Sequence, residues 1–295
     1  MIEFEYIEKS RISEYKRYYD YTDALGCEFN FVSAFLWRGE YRLKIGFYRD
    51  TLIKAYFRDD GSVWGYCMPS GKNVREAVEL LISESEKSAA PLSIAYLSRR
   101  ERDLLEELFP GAFEITEVSE TRDYIYLTED LAQLRGKRYQ AKRNHISRFN
   151  RSFDDWRTEP IGDGNKGDAL RVAELWCGEN GYDTGEYAEY KIIRDALIYM
   201  EELGMRGMVL YVGASPVAMT LGNEISPLCF DVGFEKALRG YEGSYSVICN
   251  EFAKSLSSYK YLNREEDMGI EGLRKSKLSY HPEIIYERFH ARLKT

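Results

Sequence analysis

Three short stretches of this sequence concentrate residues that could do chemistry. In FEKALRGYEGSYSV a strand pattern ends near Glu235, and Arg239-Gly240-Tyr241-Glu242-Gly243-Ser244 turns into a helix pattern. Glycines let backbone N–H groups approach a ligand, and a helix N-terminus favours anions. Arg239 adds a guanidinium that can clamp phosphate or carboxylate. The plain alternative is an ordinary strand-to-helix turn, and Glu242 puts negative charge where an anion would sit.

The second stretch is YLNREEDMGIEGLRKSKLSY. Asn263-Arg264-Glu265-Glu266-Asp267 crowds polar side chains at a strand exit, where a solvated loop is the ordinary outcome. Asp267 is placed to cap a helix starting near Met268 or Gly269. Ile270, Leu273 and Lys277 then share one face, so Lys277 either snorkels or faces a pocket. The third stretch is LRGKRYQAKRNHISRFNR. Arg135, Lys137, Arg138, Lys142, Arg143, Arg148 and Arg151 follow one another with no Asp or Glu between them. On a helix, Tyr139, Ile146, Phe149 and Phe153 form an apolar stripe that includes Lys142. A basic helix with interleaved aromatics can hold RNA or anionic headgroups. Alternatively, acidic side chains of the same chain neutralise it.

The elements that must position these residues are legible in outline. Residues 10–37 read as helical. YRLKIGFYRD, TLIKAYFRDD and SVWGYCMPSG read as strands. Gly71 and Asn73 open a helix with Val74, Ala77, Val78, Leu81 and Ile82 on one face. A strand (PLSIAYL), a helix (RRERDLLEELF, stopped at Pro110-Gly111) and two strand patterns (AFEITEV, RDYIYLT) follow. Residues 128–203 read as mostly helical, interrupted by the loop IGDGNKGD. The last third gives three strands, a helix (GSYSVICNEFAKSL), a strand (YKYLN), a helix (IEGLRKSKLSY) and a final strand (PEIIYERF). Both halves therefore run β-β-β-α-β-α-β. Tyr96-Leu97-Ser98-Arg99-Arg100-Glu101 also echoes Tyr261-Leu262-Asn263-Arg264-Glu265-Glu266. We read an internal duplication of one α+β unit, with residues 1–127 as an N-terminal repeat and 128–295 as a helical connector and C-terminal repeat.

Composition narrows the classes. With 295 residues, 44% hydrophobic and 31% charged, the chain suits a globular protein and not a disordered one. No apolar run is long enough to span a membrane, and MIEFEYIEKS has no basic or apolar leader pattern, so a cytoplasmic location is expected. Five scattered cysteines and three histidines show no zinc spacing, so no metal site is expected. A net charge of −8 argues against a general nucleic-acid binder, although the basic stretch is undiluted within itself.

LRGKRYQAKRNHISRF and YLNREEDMGIEGLRKSKLSYHPE resemble the phosphatidylglycerol lysyltransferase C-terminal-like family, and the resemblance covers nearly the whole chain. It implies a tandem duplicated GNAT-like (acyl-CoA N-acyltransferase) fold of class α+β, with mixed central sheets flanked by helices. It implies an acyl- or aminoacyl-transferase, and a donor site near residues 235–245. Asn263, Arg264, Glu265, Asp267, Arg274 and Lys277 would line or brace the cleft. The acetyltransferase pyrophosphate signature, Arg/Gln-x-x-Gly-x-Gly/Ala, is not kept: the spacing here is Arg239-Gly240-x-x-Gly243-Ser244.

The expected chemistry is direct attack of an acceptor amine or hydroxyl on an activated carbonyl, because no Ser-His-Asp or Cys-His arrangement is apparent. Glu235 or Glu265 would take the proton and Tyr280 would protonate the leaving group. Arg239 and the amides of Gly240, Gly243 and Ser244 would hold the carrier. Lys142, Arg143, Asn144 and His145 would meet a tRNA acceptor end or an anionic headgroup through residues 135–151. The donor would be an aminoacyl-tRNA or an acyl-CoA, and the acceptor a small molecule, peptide or lipid. Two alternatives stand beside this: a non-catalytic binder of RNA or anionic lipid on the same fold, and a CoA-dependent acetyltransferase of small amines.

Overall fold

The computed structural model describes residues 2–18, 24–87 and 91–294. The helical reading of residues 10–37 resolves into two short helices, α1 (Ile12–Lys16) and α2 (Phe31–Trp37), with residues 19–23 outside the described set. Asn30 starts the second, because its Oδ1 accepts from the Val32 and Ser33 N–H groups and caps α2.

The first meander follows its alternation: β1 (Leu43–Phe47), β2 (Thr51–Phe57), β3 (Val63–Tyr66) and a two-residue β4 (Ser70–Gly71). Helix α3 (Val74–Glu86) buries Ala77, Val78 and Leu81, the expected stripe. Strand β5 (Ser93–Leu97) leads into α4 (Arg99–Leu108), which starts on a capping box between Ser98 and Glu101. Then come β6 (Phe113–Glu117), β7 (Asp123–Leu127), α5 (Thr128–Gln133) and the basic helix α6 (Gln140–Ser152).

A strand missed in the sequence, β8 (Trp156–Pro160), interrupts the helical stretch. Its charged, proline-ended sequence is that of a sheet edge, where alternation is weak. Helices α7 (Lys166–Asn180), α8 (Ala188–Ile198) and α9 (Met200–Leu203) precede the second meander, β9 (Arg206–Val212), β10 (Ser215–Ser226) and β11 (Cys229–Ala237). The chain finishes with α10 (Ser244–Ser255), β12 (Tyr261–Asn263), α11 (Glu271–Leu278), β13 (Ile284–Tyr286) and β14 (Phe289–Leu293). The single strand expected in PEIIYERF is thus two strands, broken at Glu287-Arg288.

Those two strands lie in different sheets. The first sheet runs β1-β2-β3-β5-β14-β6, with β4 beside β2, and the second runs β13-β7-β12-β11-β10-β9-β8. Read from their meanders the orders match: β1-β2-β3-β5-β14-β6 against β9-β10-β11-β12-β7-β13. The order is that of a duplicated unit in which each half's final strand completes the other half's sheet. Strand β7, within residues 1–127, pairs with β12 and β13; β14, at the far end of the chain, pairs with β5 and β6. The echoing hexapeptides begin on equivalent strands, at Tyr96 of β5 and Tyr261 of β12.

Packing is continuous across the halves. One apolar cluster joins Phe31 and Phe35 of α2 and Ile45 and Leu52 of the first sheet to α7, α8 and Met219, Leu221 and Phe234 of the second. A second cluster fills the opposite face of the second sheet against α5, α6 and α10.

Candidate active site

The second sheet opens where two parallel strands part. β11 and β12 pair only from Cys229 to Asp231 and from Tyr261 to Asn263. Beside this opening, Leu221 of β10 pairs with Phe234 but Asn223 pairs with Asp231, so β11 holds an extra residue. Such a bulge re-aims side chains. It requires Gly222, whose Cβ would lie 1.9 Å from the Asp231 carbonyl oxygen. Because of it, Asp231 turns to α2 and Glu235 turns to the opposite face.

On the Glu235 face, Arg264 donates to Glu235 at 2.8 Å, and both side chains are nearly buried. The guanidinium lies 4.9 Å from the Tyr280 ring centroid and 5.8 Å from that of Tyr126. Its Nη1 is buried without a hydrogen-bond partner. Lys142 reaches the same ring from α6, with Nζ 3.6 Å from the Tyr280 centroid. Burial and the neighbouring Arg264 bring the Lys142 ammonium down to about 8. Tyr280 presents its ring here, while its hydroxyl turns to Ser246 Oγ at 3.4 Å. Burial pushes that phenol up, as it does the adjacent Cys249 thiol.

On the other face, a narrow crevice is lined by Asn30, Ser33, Trp37, Asn223, Asp231, Gly233 and Glu265. Asn30 spans the halves: its Nδ2 donates to Asp231 Oδ2 at 2.7 Å and to Asn223 Oδ1 at 3.1 Å. Asp231 is 2% exposed, and its Oδ1 has no partner. Burial pushes the Asp231 carboxyl up to about 8, and burial beside Asp231 and Glu266 raises that of Glu265 well above the carboxylate range. An acid held this way accepts a cation readily, because a bound positive charge restores its ionised form.

The strand-exit loop is braced from beneath. Asn263 donates to Asp123 at 2.7 Å and accepts from the Glu265 N–H at 2.7 Å. Lys277 neither snorkels nor opens onto a pocket: it is 8% exposed, and Nζ donates to the backbone carbonyls of Arg264, Glu265 and Glu266. Asp267 does not cap a helix, since α11 starts at Glu271 on an uncapped Ile270. Instead it accepts from Arg274 Nε and Nη2 (2.7 and 3.0 Å), the Tyr124 hydroxyl and the Gly269 N–H. The Arg274 contact leads in holding its carboxyl down at about 2. Asn263 and Lys277 thus hold the backbone of Arg264 and Glu265, the latter at φ 54°.

The glycine turn lies further out. Arg239 is engaged by Asn180 Oδ1 at 2.5 Å, and its N–H donates to Glu179 at 2.9 Å. Gly240 is exposed and Ser244 is buried. Gly243 has φ 97°, and a Cβ there would lie 2.6 Å from the His145 carbonyl oxygen, so α6 crosses directly over the start of α10. Of the basic stretch, Arg135, Arg138 and Arg148 pair with Glu129, Asp130 and Glu242. Arg143 donates to the Leu134 and Gly136 carbonyls, while Asn144 and the His145 ring are exposed. Among the described residues Lys137 and Arg151 have no acidic partner.

Sequence reasoning missed the crevice acid Asp231 and a buried latch. Asp123, at the start of β7, accepts from Arg288, just before β14, at 2.6 Å, and Arg288 also contacts Glu28. The two exchanged strands are thereby pinned to each other. Cys27, Asp123 and Glu266 offer ligand atoms within 4.8 Å of one another, but the Arg288 guanidinium already neutralises this cluster. Asp231 and Asn30 share a sequence signal, one polar residue inside an otherwise aromatic or aliphatic run, whereas Asp123 stands at the start of one.

The fold recurs in solved proteins. A conserved protein of unknown function from Bacteroides thetaiotaomicron superposes with a TM-score of 0.90 at 35% identity, over 100% of both chains. L-PGS from Bacillus licheniformis superposes at 0.67 with 12% identity, over 98% of this chain and 92% of that one. A GNAT-family acetyltransferase from Colwellia psychrerythraea gives 0.52 at 10% identity over the full length of both. An uncharacterised protein of Mycoplasmoides gallisepticum is 24% identical over 178 residues, 60% of this chain; the chain spans 57% of that relative's length. No described helix is long and apolar enough to cross a membrane. The family profile described as phosphatidylglycerol lysyltransferase, C-terminal, matches residues 20–292. With nearly every element of both sheets inside that span, the chain belongs to the phosphatidylglycerol lysyltransferase C-terminal family, on a tandem GNAT-like transferase fold.

Proposed function

We propose that this protein transfers an aminoacyl group from the ester of a charged tRNA to an amine or hydroxyl acceptor, by direct attack and without an acyl-enzyme. The observation that carries this is the crevice acid Asp231, buried with a free Oδ1 beside Glu265. An aminoacyl donor bears an ammonium group for such a site, and a simple acyl thioester does not. One further feature favours an aminoacyl over a CoA donor. Helix α6 covers the start of α10, where a pyrophosphate would bind, and Arg148 pairs there with Glu242. The exposed Lys137 and Arg151 are then the candidates to meet the tRNA backbone.

Calorimetry with amino-acid amides, which mimic the donor's acyl end, tests the reading. Binding by the parent protein, weakened at least tenfold in Asp231→Asn and absent for N-acetylated amides, supports it. Equal binding of free and N-acetylated amides argues against it.

A further inference from the structure

Of four candidate proton carriers around the strand opening, three are already committed. Glu235 is paired with Arg264 at 2.8 Å. The Tyr280 hydroxyl turns to Ser246, and Glu265 lies toward the crevice on the other face of the sheet. Lys142 is the fourth. Its ammonium rests on the Tyr280 ring, half-buried, and among the described residues it has no carboxylate partner. The groups that face it are Arg264 from the loop after β12, Cys249 from α10, Glu235 from β11 and Tyr280 after α11. Arg264 shares the same ring and keeps one buried donor, Nη1, free.

We propose that Lys142 is the proton-transfer group of the reaction and that the free Nη1 of Arg264 meets the developing oxyanion, a role that rests on the aminoacyl-transfer reading above. The free amine of Lys142 takes the proton from the acceptor O–H or N–H as that atom bonds to the ester carbonyl carbon. The carbonyl π pair moves to oxygen, facing Arg264. On collapse, the bond from the carbonyl carbon to the ribose oxygen breaks, and the Lys142 ammonium returns its proton to that oxygen. The exchange is balanced, with no net gain or loss of protons. An ordinary lysine would be protonated throughout. One lowered to about 8 by burial and Arg264 holds a usable fraction of free amine near neutrality.

Lys142→Arg separates this from simple phosphate binding, because arginine keeps the charge but cannot release a proton. The expected result is a kcat lower by about 10²-fold or more, with KM for the charged tRNA nearly unchanged and the rise in rate through pH ~8 abolished. Competitive labelling of the parent protein with acetic anhydride reads the lysine directly, independent of any substitution, and should show Lys142 titrating near 8. Lys142→Arg transferring at close to the parental rate, or Lys142 titrating with the exposed lysines, overturns the proposal. No transfer by the parent protein defeats the aminoacyl reading and this role with it. That outcome is distinguishable because it precedes any substitution.

Discussion

Replacing Arg264 with methionine tests whether the strand opening is lined by a buried ion pair. The side chains of Arg264 and Glu235 are 14% and 11% exposed and 2.8 Å apart. Removing one partner of such a pair strands the other charge, which costs about 3–5 kcal/mol. At ~2.1 cal/mol/K per residue, a chain of 295 residues has an unfolding entropy of roughly 0.6 kcal/mol/K, so the loss lowers Tm by about 5–8 °C. The double variant Glu235→Gln, Arg264→Met should recover part of this, giving a coupling of about 1 kcal/mol or more between the two sites. Thermal melts and urea titrations of the four proteins complete the cycle. A loss for Arg264→Met under about 1 kcal/mol is the behaviour of an exposed pair, and would refute its burial.

The other expectations are simpler to check. Asp231 keeps its proton up to about 8 when folded but releases it near 4 when unfolded, so it contributes stability at low pH that is lost as pH rises between those values; urea midpoints should fall across that window, and Asp231→Asn should flatten the fall. Because each half completes the other's sheet, calorimetry should show one unfolding transition, and Arg288→Met should lower its midpoint without splitting it; two separate transitions would contradict the exchanged-strand coupling. Acetyl-CoA at millimolar concentration should leave Tm unmoved, and a rise of several degrees would reopen the CoA-dependent alternative.

What was legible in the sequence follows a physical pattern. The meanders and amphipathic helices could be read because one face of each is apolar, as in the Ala77–Val78–Leu81 stripe. The duplication could be read because the order of elements repeats. The strand exchange could not: Tyr124 and Phe289 are as apolar as any core strand residue, and periodicity does not name the partner. Lys142 stood out as a cation inside an apolar stripe, and it does lie against the Tyr280 ring. The crevice escaped notice because its acid and amide come from β11 and the start of α2, some two hundred residues apart, and meet only in the folded chain, through the Asn30–Asp231 hydrogen bond. Asp267 was misplaced as a helix cap because spacing cannot show that Arg274 and Tyr124 would claim its oxygens first.

The central claim is that the donor is an aminoacyl ester. Its most direct test offers the parent protein a panel of radiolabelled charged tRNAs beside acyl-CoA donors, with lipid, peptide and small-amine acceptors present. The account predicts enzyme-dependent movement of label from at least one charged tRNA to an acceptor, with acyl-CoA untouched. Label remaining on every charged tRNA, or moving only from acyl-CoA, would contradict it.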